Sequence, residues 1–361
     1  MKIVFIVRAT IFTVKGGDTV QVLNTAKYLE RIGVEVDIRL TTDKITYEDY
    51  DLLHFFNIIR PADILNHLGK TNKPFVVSTV FVEYAEFEQH HRRGIPGFLF
   101  RFLSADSIEY LKVMGRLLKS GEKISGKNYL WIGHRRSIQK IIRESACLLP
   151  NSENEYKRLA ARYQLEKPYH VVPYAVDEEL FRPVAHTRKN KQMVICVARI
   201  EGRKNQLNLI QAIRNTKFEL YMIGNPAPHQ IDYYNACRKL EAPNIHFIPE
   251  LSQEELVPYY QQAKVHVLPS WFETAGLSSL EAAAMGCNLV ITNKGDAWEY
   301  FGEAVQYCDP ASPDSIYEAI EKASETSESL LLQQKIYSDF TWRKAASRTF
   351  EAYKGVLNLC E

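Results

Sequence analysis

The chain has 361 residues, of which 46% are hydrophobic and 24% charged, with a formal net charge of +2. This length exceeds what one hydrophobic core usually serves, so two domains are expected. The composition is that of a globular protein, no apolar run reaches the ~18 residues that cross a bilayer, and no nucleic-acid partner is expected.

The N-terminal MKIVFIVRAT carries no small-residue cleavage site, so it is expected to be a buried first strand and not a signal peptide. A β-branched run at 2–7 leads into a polar loop with Gly16 and Gly17. A helical pattern follows from Thr19 to Ile32, closed by Gly33. Runs at 34–40, 51–58, 73–80, 146–152 and 170–175 are expected as strands. Near-continuous apolar stretches of this length suit a parallel sheet covered on both faces. A second series then begins, with strands expected at 192–200, 218–224, 244–250, 265–270 and 288–293. Helices are expected at 206–214, near 252–262 and near 277–285. Two βα series of similar size predict two doubly wound Rossmann-like domains, an N-terminal one over 1–172 and a C-terminal one over 173–339. Prolines at 173 and 183 mark the linker.

Six cysteines lie far apart with no C-x-x-C pair, which points to a reduced, cytoplasmic compartment and away from a zinc site. Residues 90–143 depart from the scheme, with twelve Lys or Arg against three Asp or Glu, interleaved with Phe98, Phe100 and Phe102. Such a segment suits an anionic membrane surface or an anionic acceptor. A helical pair packing its aromatics on the core gives the same pattern.

The strongest chemical signal is PSWFETAGLSSLEAAAMG at 269–286. Glu273 and Glu281 stand eight residues apart. Eight helical steps would set them about 80° apart around the axis, so Glu273 is placed in the loop and Glu281 inside the helix. Between them, the backbone N–H groups of Gly276, Leu277 and Ser278 stand at the helix start, where free donors and the helix dipole favour a phosphate. Taken alone the pair is weak, since Glu281 would pass as a surface residue and Thr274 as a simple N-cap.

This stretch resembles the Glu-x7-Glu signature of retaining glycosyltransferases of the GT-B fold, the family called group 1 or family 4. VARIEGRKNQ at 197–206 is similar to that family's Gly-Arg-Leu…Lys segment, matching Arg199 and Lys204, with Ala198 where Gly is usual. Segments 149–159, 170–183 and 309–320 are also similar. Residues 338–353 resemble the terminal helix that returns to the N-terminal domain, which adds about 340–361 to that domain.

The resemblance implies two Rossmann-like domains facing a central cleft. It implies transfer, with retention, of a sugar from a UDP or GDP donor to a glycan or lipid-linked acceptor, with no metal and no other cofactor. Arg199 and Lys204 would neutralise the diphosphate. Glu281 would accept from the ribose hydroxyls, and Glu273 would hold the donor sugar near its anomeric centre. Residues around Pro249 would hold the base, and Gly16 and Gly17 would approach phosphate or acceptor. Many relatives carry a His after the strand equivalent to 75–80. This chain has none until His90, so Glu83, Tyr84 or Glu86 is expected to serve.

Asp49-Tyr50-Asp51 matches the D-x-D pattern of metal-dependent transferases of another fold, but it sits where a strand begins. His90 and His91 are adjacent and diverge, so no metal site is expected. A sugar-nucleotide epimerase and a silent nucleotide-sugar-binding subunit remain as alternatives on the same scaffold.

Overall fold

A computed structural model of the chain describes residues 1–84, 86–91, 103–104, 106–111, 127–182 and 188–358. They divide into two compact units, one made of the described residues within Met1–Phe81, Arg93–Tyr174 and Trp342–Glu361, the other of those within Val82–Arg92 and Ala175–Thr341.

The first unit is built on a five-stranded parallel sheet in the order β2-β1-β3-β4-β5. Its strands are β1 (Lys2–Val7), β2 (Glu35–Leu40), β3 (Leu52–Phe56), β4 (Phe75–Ser78) and β5 (Cys147–Leu149). Ile3 to Val7 and the whole of β3 are buried, as near-continuous apolar runs require when helices cover both faces. The helix His134–Glu144 turns Ile138, Ile141 and Ile142 inward, a helical repeat that packs on Leu53, Phe55, Val77 and Leu148. On this unit the helix Gly17–Glu30 packs against the last helix, Trp342–Asn358. That helix is tied to the sheet by Tyr353, whose hydroxyl lies 2.6 Å from His54 Nδ1 on β3.

The second unit holds a six-stranded parallel sheet in the order β11-β10-β9-β6-β7-β8. Its strands are β6 (Asn190–Val197), β7 (Glu219–Ile223), β8 (Ile245–Ile248), β9 (Ala263–Leu268), β10 (Asn288–Thr292) and β11 (Gln306–Cys308). Counted within the unit, this is the 3-2-1-4-5-6 order of a dinucleotide-type doubly wound sheet, whose direction of winding reverses between β6 and β9. Ligands on such sheets bind where strands end at this reversal, and β6 and β9 lead into the two loops singled out by sequence.

Two elements differ from the sequence expectation. Residues 170–175 do not form a strand. His170 and Val172 donate to the carbonyls of Leu148 and Pro150, but Pro168 and Pro173 offer no N–H, so only an isolated bridge forms at Tyr169. The three-residue edge strand β11 was not anticipated. Of the basic segment 90–143, residues 92–102, 105 and 112–126, including Phe98, Phe100 and Phe102, lie outside the described residues. Among the described residues no helix is long and apolar enough to cross a membrane.

Candidate active site

The site in the second unit grows from the loop after β6. Gly224 approaches this loop so closely that a Cβ on it would stand 2.1 Å from the Ala198 carbonyl oxygen. A side chain there would push out the loop that carries Arg199. One tight turn, Gly202–Lys204, follows, and Asn205 closes it in the left-handed region at φ 60°. The Asn205 amide donates to the carbonyls of Pro269 and Pro310 at 3.2 and 2.6 Å, and Trp271 N–H donates to the Arg203 carbonyl. The loops after β6 and β9 are therefore stitched together by one side-chain and one backbone hydrogen bond.

That stitching brings Lys204 Nζ to 2.5 Å from Glu273 Oε2, which also accepts from Ser270 Oγ at 3.1 Å. Burial pushes the Lys204 ammonium down, but Glu273 and its neighbours more than offset this, and its pKa is raised. Arg199, about a third exposed, sits 3.6 Å from Glu201 Oε1, and Arg203 holds the other oxygen of that carboxylate at 2.9 Å. Glu201 is buried, which favours its neutral form, yet Arg203, Arg199 and Lys204 together hold its pKa below the ordinary value. Sequence reasoning missed Glu201 and Arg203. The signal was a single acidic residue set among three cations within six positions.

Glu273 is fixed by its backbone. It pairs with the loop after β10, donating to the Lys294 carbonyl and accepting from Asp296 N–H. Gly276, at φ 73°, caps the helix Leu277–Ala284 with no side-chain bond, and buried Thr274 is not the cap. Ser279 and Leu280 N–H groups return to the Gly276 carbonyl, while helix geometry leaves those of Gly276, Leu277 and Ser278 outside the ladder. Inside the helix, Glu281 is buried. Gln253 donates to its Oε1 at 2.7 Å and Tyr260 to its Oε2 at 2.9 Å. Burial raises its pKa to about 7, with those two donors pulling partly back.

The remaining sequence candidates fall further out. Pro249 is exposed just beyond the edge strand β8, where Glu250 N–H donates to Asn225 Oδ1. Glu83 is half-buried in the stretch grouped with this unit, next to Tyr84, whose ring lies 4.4 Å from the Arg203 guanidinium carbon. Gly16 and Gly17 belong to the first unit, where β1 ends. There Gly16 N–H is taken by Thr19 Oγ1, and the Asp18 carboxylate accepts from Thr19 N–H and from Arg8. An anion already sits at that helix start. Asp51 of the D-x-D triplet accepts from Lys2 N–H. Among the described residues no three His, Cys, Asp or Glu side chains gather as a metal site would require.

The architecture is that of GT-B glycosyltransferases. Sucrose-phosphate synthase from Thermosynechococcus elongatus superposes with a TM-score of 0.76 at 14% identity, covering 99% of this chain and 100% of that one. HepE from Anabaena, solved with UDP and glucose, gives 0.70 at 13% identity over 98% of this chain and 99% of that one. Residues 177–336 match the family described as "Glycosyl transferases group 1". MMP alpha-(1->4)-mannosyltransferase of Mycolicibacterium hassiacum is 23% identical over 62% of this chain and 57% of its own length. The chain thus spans little more than half of that relative. D-inositol 3-phosphate glycosyltransferase of Corynebacterium aurimucosum is 25% identical over 78% of this chain and 75% of its own length.

Proposed function

We propose that the protein is a retaining glycosyltransferase that moves a sugar from a nucleoside-diphosphate donor, UDP- or GDP-linked, to a glycan or lipid-linked acceptor in cell-surface polysaccharide synthesis. The observation that carries this is the ammonium of Lys204 at 2.5 Å from the Glu273 carboxylate, at the reversal point of the sheet and beside a helix start capped by glycine. An ammonium has three donors and Glu273 takes one. The others, with Arg199 and the amides of Gly276 to Ser278, suit a diphosphate, and the carboxylate suits sugar hydroxyls.

In this reaction the acceptor hydroxyl oxygen bonds to the anomeric carbon as the bond from that carbon to the diphosphate oxygen breaks. The departing diphosphate takes the hydroxyl proton, so the new bond forms on the face that the old one leaves. Arg199 and Lys204 stabilise the charge that builds on the leaving oxygen, a task a metal performs elsewhere. Glu273 stabilises positive charge at the anomeric centre, and Glu281 accepts from ribose hydroxyls.

The test is release of nucleoside diphosphate from a panel of sugar nucleotides. Release that needs an added acceptor extract and is lost in Lys204→Ala supports transfer. A new sugar nucleotide formed without acceptor would identify an epimerase instead, and binding without either would identify a silent subunit.

An anionic leaflet as the working surface is supported by Trp131, 91% exposed and close in sequence to the exposed Arg135 and Arg136. Sedimentation with anionic vesicles that weakens as salt rises is the expected behaviour of a peripheral protein, and indifference to lipid charge would remove the idea.

A further inference from the structure

The stretch that follows β4 reads VEYAEFEQ at 82–89, with three glutamates among the six residues from 83 to 88. It is grouped with the second unit, although β4 itself belongs to the first. Its side chains meet all three loops that form the site. The Tyr84 ring covers Arg203 at 4.4 Å and meets Phe272 edge-on at 6.0 Å. Glu86 is ion-paired with Lys294, whose carbonyl accepts from Glu273 N–H and whose ammonium lies 5.5 Å above the Trp271 ring. Phe87 rests on Gly202 at the tight turn, where a Cβ would meet its ring at 2.9 Å. Glu88 is buried at 4% exposure.

We propose that Tyr84 and Glu86 form an internal competitor that holds the outer cations Arg203 and Lys294 until a nucleoside diphosphate displaces it. This rests on the donor-binding role proposed above. The chemistry follows from charge. A diphosphate needs the cations around Lys204, and a carboxylate standing on the neighbouring Lys294 both neutralises it and repels the incoming anion. The Glu86–Lys294 pair is partly exposed, with side chains 49% and 31% accessible, so it is weak enough to exchange for a doubly charged ligand. The aromatic contacts of Tyr84 and Phe87 give the stretch a defined resting place, which is what makes it a competitor and not a diffuse charge.

The experiment is calorimetric titration of UDP and of GDP into the full chain, its Glu86→Gln variant and its Lys204→Ala variant. With it goes chymotrypsin cleavage after Tyr84 and Phe87, with and without nucleotide. Glu86→Gln is expected to bind about two- to fivefold more tightly than wild type, and saturating nucleotide is expected to speed cleavage at Tyr84 and Phe87. Unchanged or weaker binding by Glu86→Gln, or protection of these bonds by nucleotide, would make the stretch a fixed wall of the site and overturn the proposal. A wild-type chain that binds neither nucleotide, or binds equally well without Lys204, ends the donor-site assignment and this inference together. Lys204-dependent binding with no gain in Glu86→Gln ends this inference alone.

Discussion

Gly295 lies so close beneath Glu273 that a Cβ placed on it would stand 2.1 Å from the Glu273 carbonyl oxygen and 3.1 Å from its nitrogen. The same glycine sits at φ 102°, a conformation that side chains resist. The carboxylate proposed to meet the donor sugar is therefore aimed by a neighbouring loop that tolerates only glycine. Gly295→Ala should cost at least about 2 kcal/mol of stability, combining left-handed strain of about 1–2 kcal/mol with a backbone clash. Turnover should fall further than stability, because the Glu273 backbone must move. Denaturant unfolding and kcat measured on one preparation check this, and an alanine variant with native turnover would show that Glu273 needs no such aim.

Lys204 and Glu273 form a pair with side chains only 19% and 12% exposed. Removing one partner strands a charge in a poorly solvated place, a loss of about 2–4 kcal/mol, whereas removing both should cost less than the sum. The ligand readout separates their roles. Lys204→Met should lose at least tenfold in UDP or GDP affinity, since charge-assisted bonds to the diphosphate go with it. Glu273→Gln should keep nucleotide affinity, or gain slightly, while losing turnover of the sugar donor. Equal losses of nucleotide affinity in both variants would contradict this division of labour.

The strands were legible because parallel strands buried on both faces must be almost wholly apolar, as Ile3 to Val7 are and as Leu52 to Phe56 are apart from His54. Placing Glu273 in a loop and Glu281 in a helix was also legible, since eight helical steps would not stack them. Other features were hidden for physical reasons. The run at 170–175 looks like a strand by side chain, but its fate was decided by the missing N–H groups of Pro168 and Pro173. Glu201 reads as an ordinary loop residue. Its partners Arg199 and Arg203 are each two positions away and visible in the sequence, but only the fold shows that the carboxylate is buried between them. The grouping of Tyr84 and Glu86 with the second unit depends on Phe272 and Lys294, nearly 190 and more than 200 positions away, and no local pattern carries such a contact.

His54, on β3, is bonded at both ring nitrogens, by Tyr353 at 2.6 Å and by Ser78 Oγ at 2.8 Å. Burial lowers its pKa to about 3, so the ring is neutral and one bond must run from nitrogen donor to oxygen acceptor. Tyr353→Phe would leave Nδ1 buried without a partner, a loss of about 1–3 kcal/mol. Because Tyr353 belongs to the first unit, nucleotide affinity should not change. A variant that unfolds at the wild-type midpoint would show that the last helix is held by its apolar face alone.

Glu281 offers a pH signature. Its folded pKa is raised to about 7 by burial, against 4.5 as the ordinary value. Between these values the folded chain keeps a proton that the unfolded chain has released. Stability from this group is therefore complete below 4.5 and is lost as pH rises towards 7, by on the order of 3 kcal/mol. Glu281→Gln removes the titration, so its stability relative to wild type should improve from about pH 5 to about pH 8. Parallel profiles for the two proteins would refute the shift. The nucleotide should respond in the opposite direction. Gln253 and Tyr260 both donate to this carboxyl, so hydroxyls of a bound ribose find acceptor capacity on both oxygens only once it is ionised. Wild-type affinity for UDP or GDP should rise more steeply through about pH 7 than that of Glu281→Gln, whose profile carries only the titration of the ligand's own terminal phosphate. Titrating nucleotide across that range distinguishes a carboxylate that grips the ribose from one that only braces the helix Gln253–Gln262, for which the two affinity profiles would run parallel.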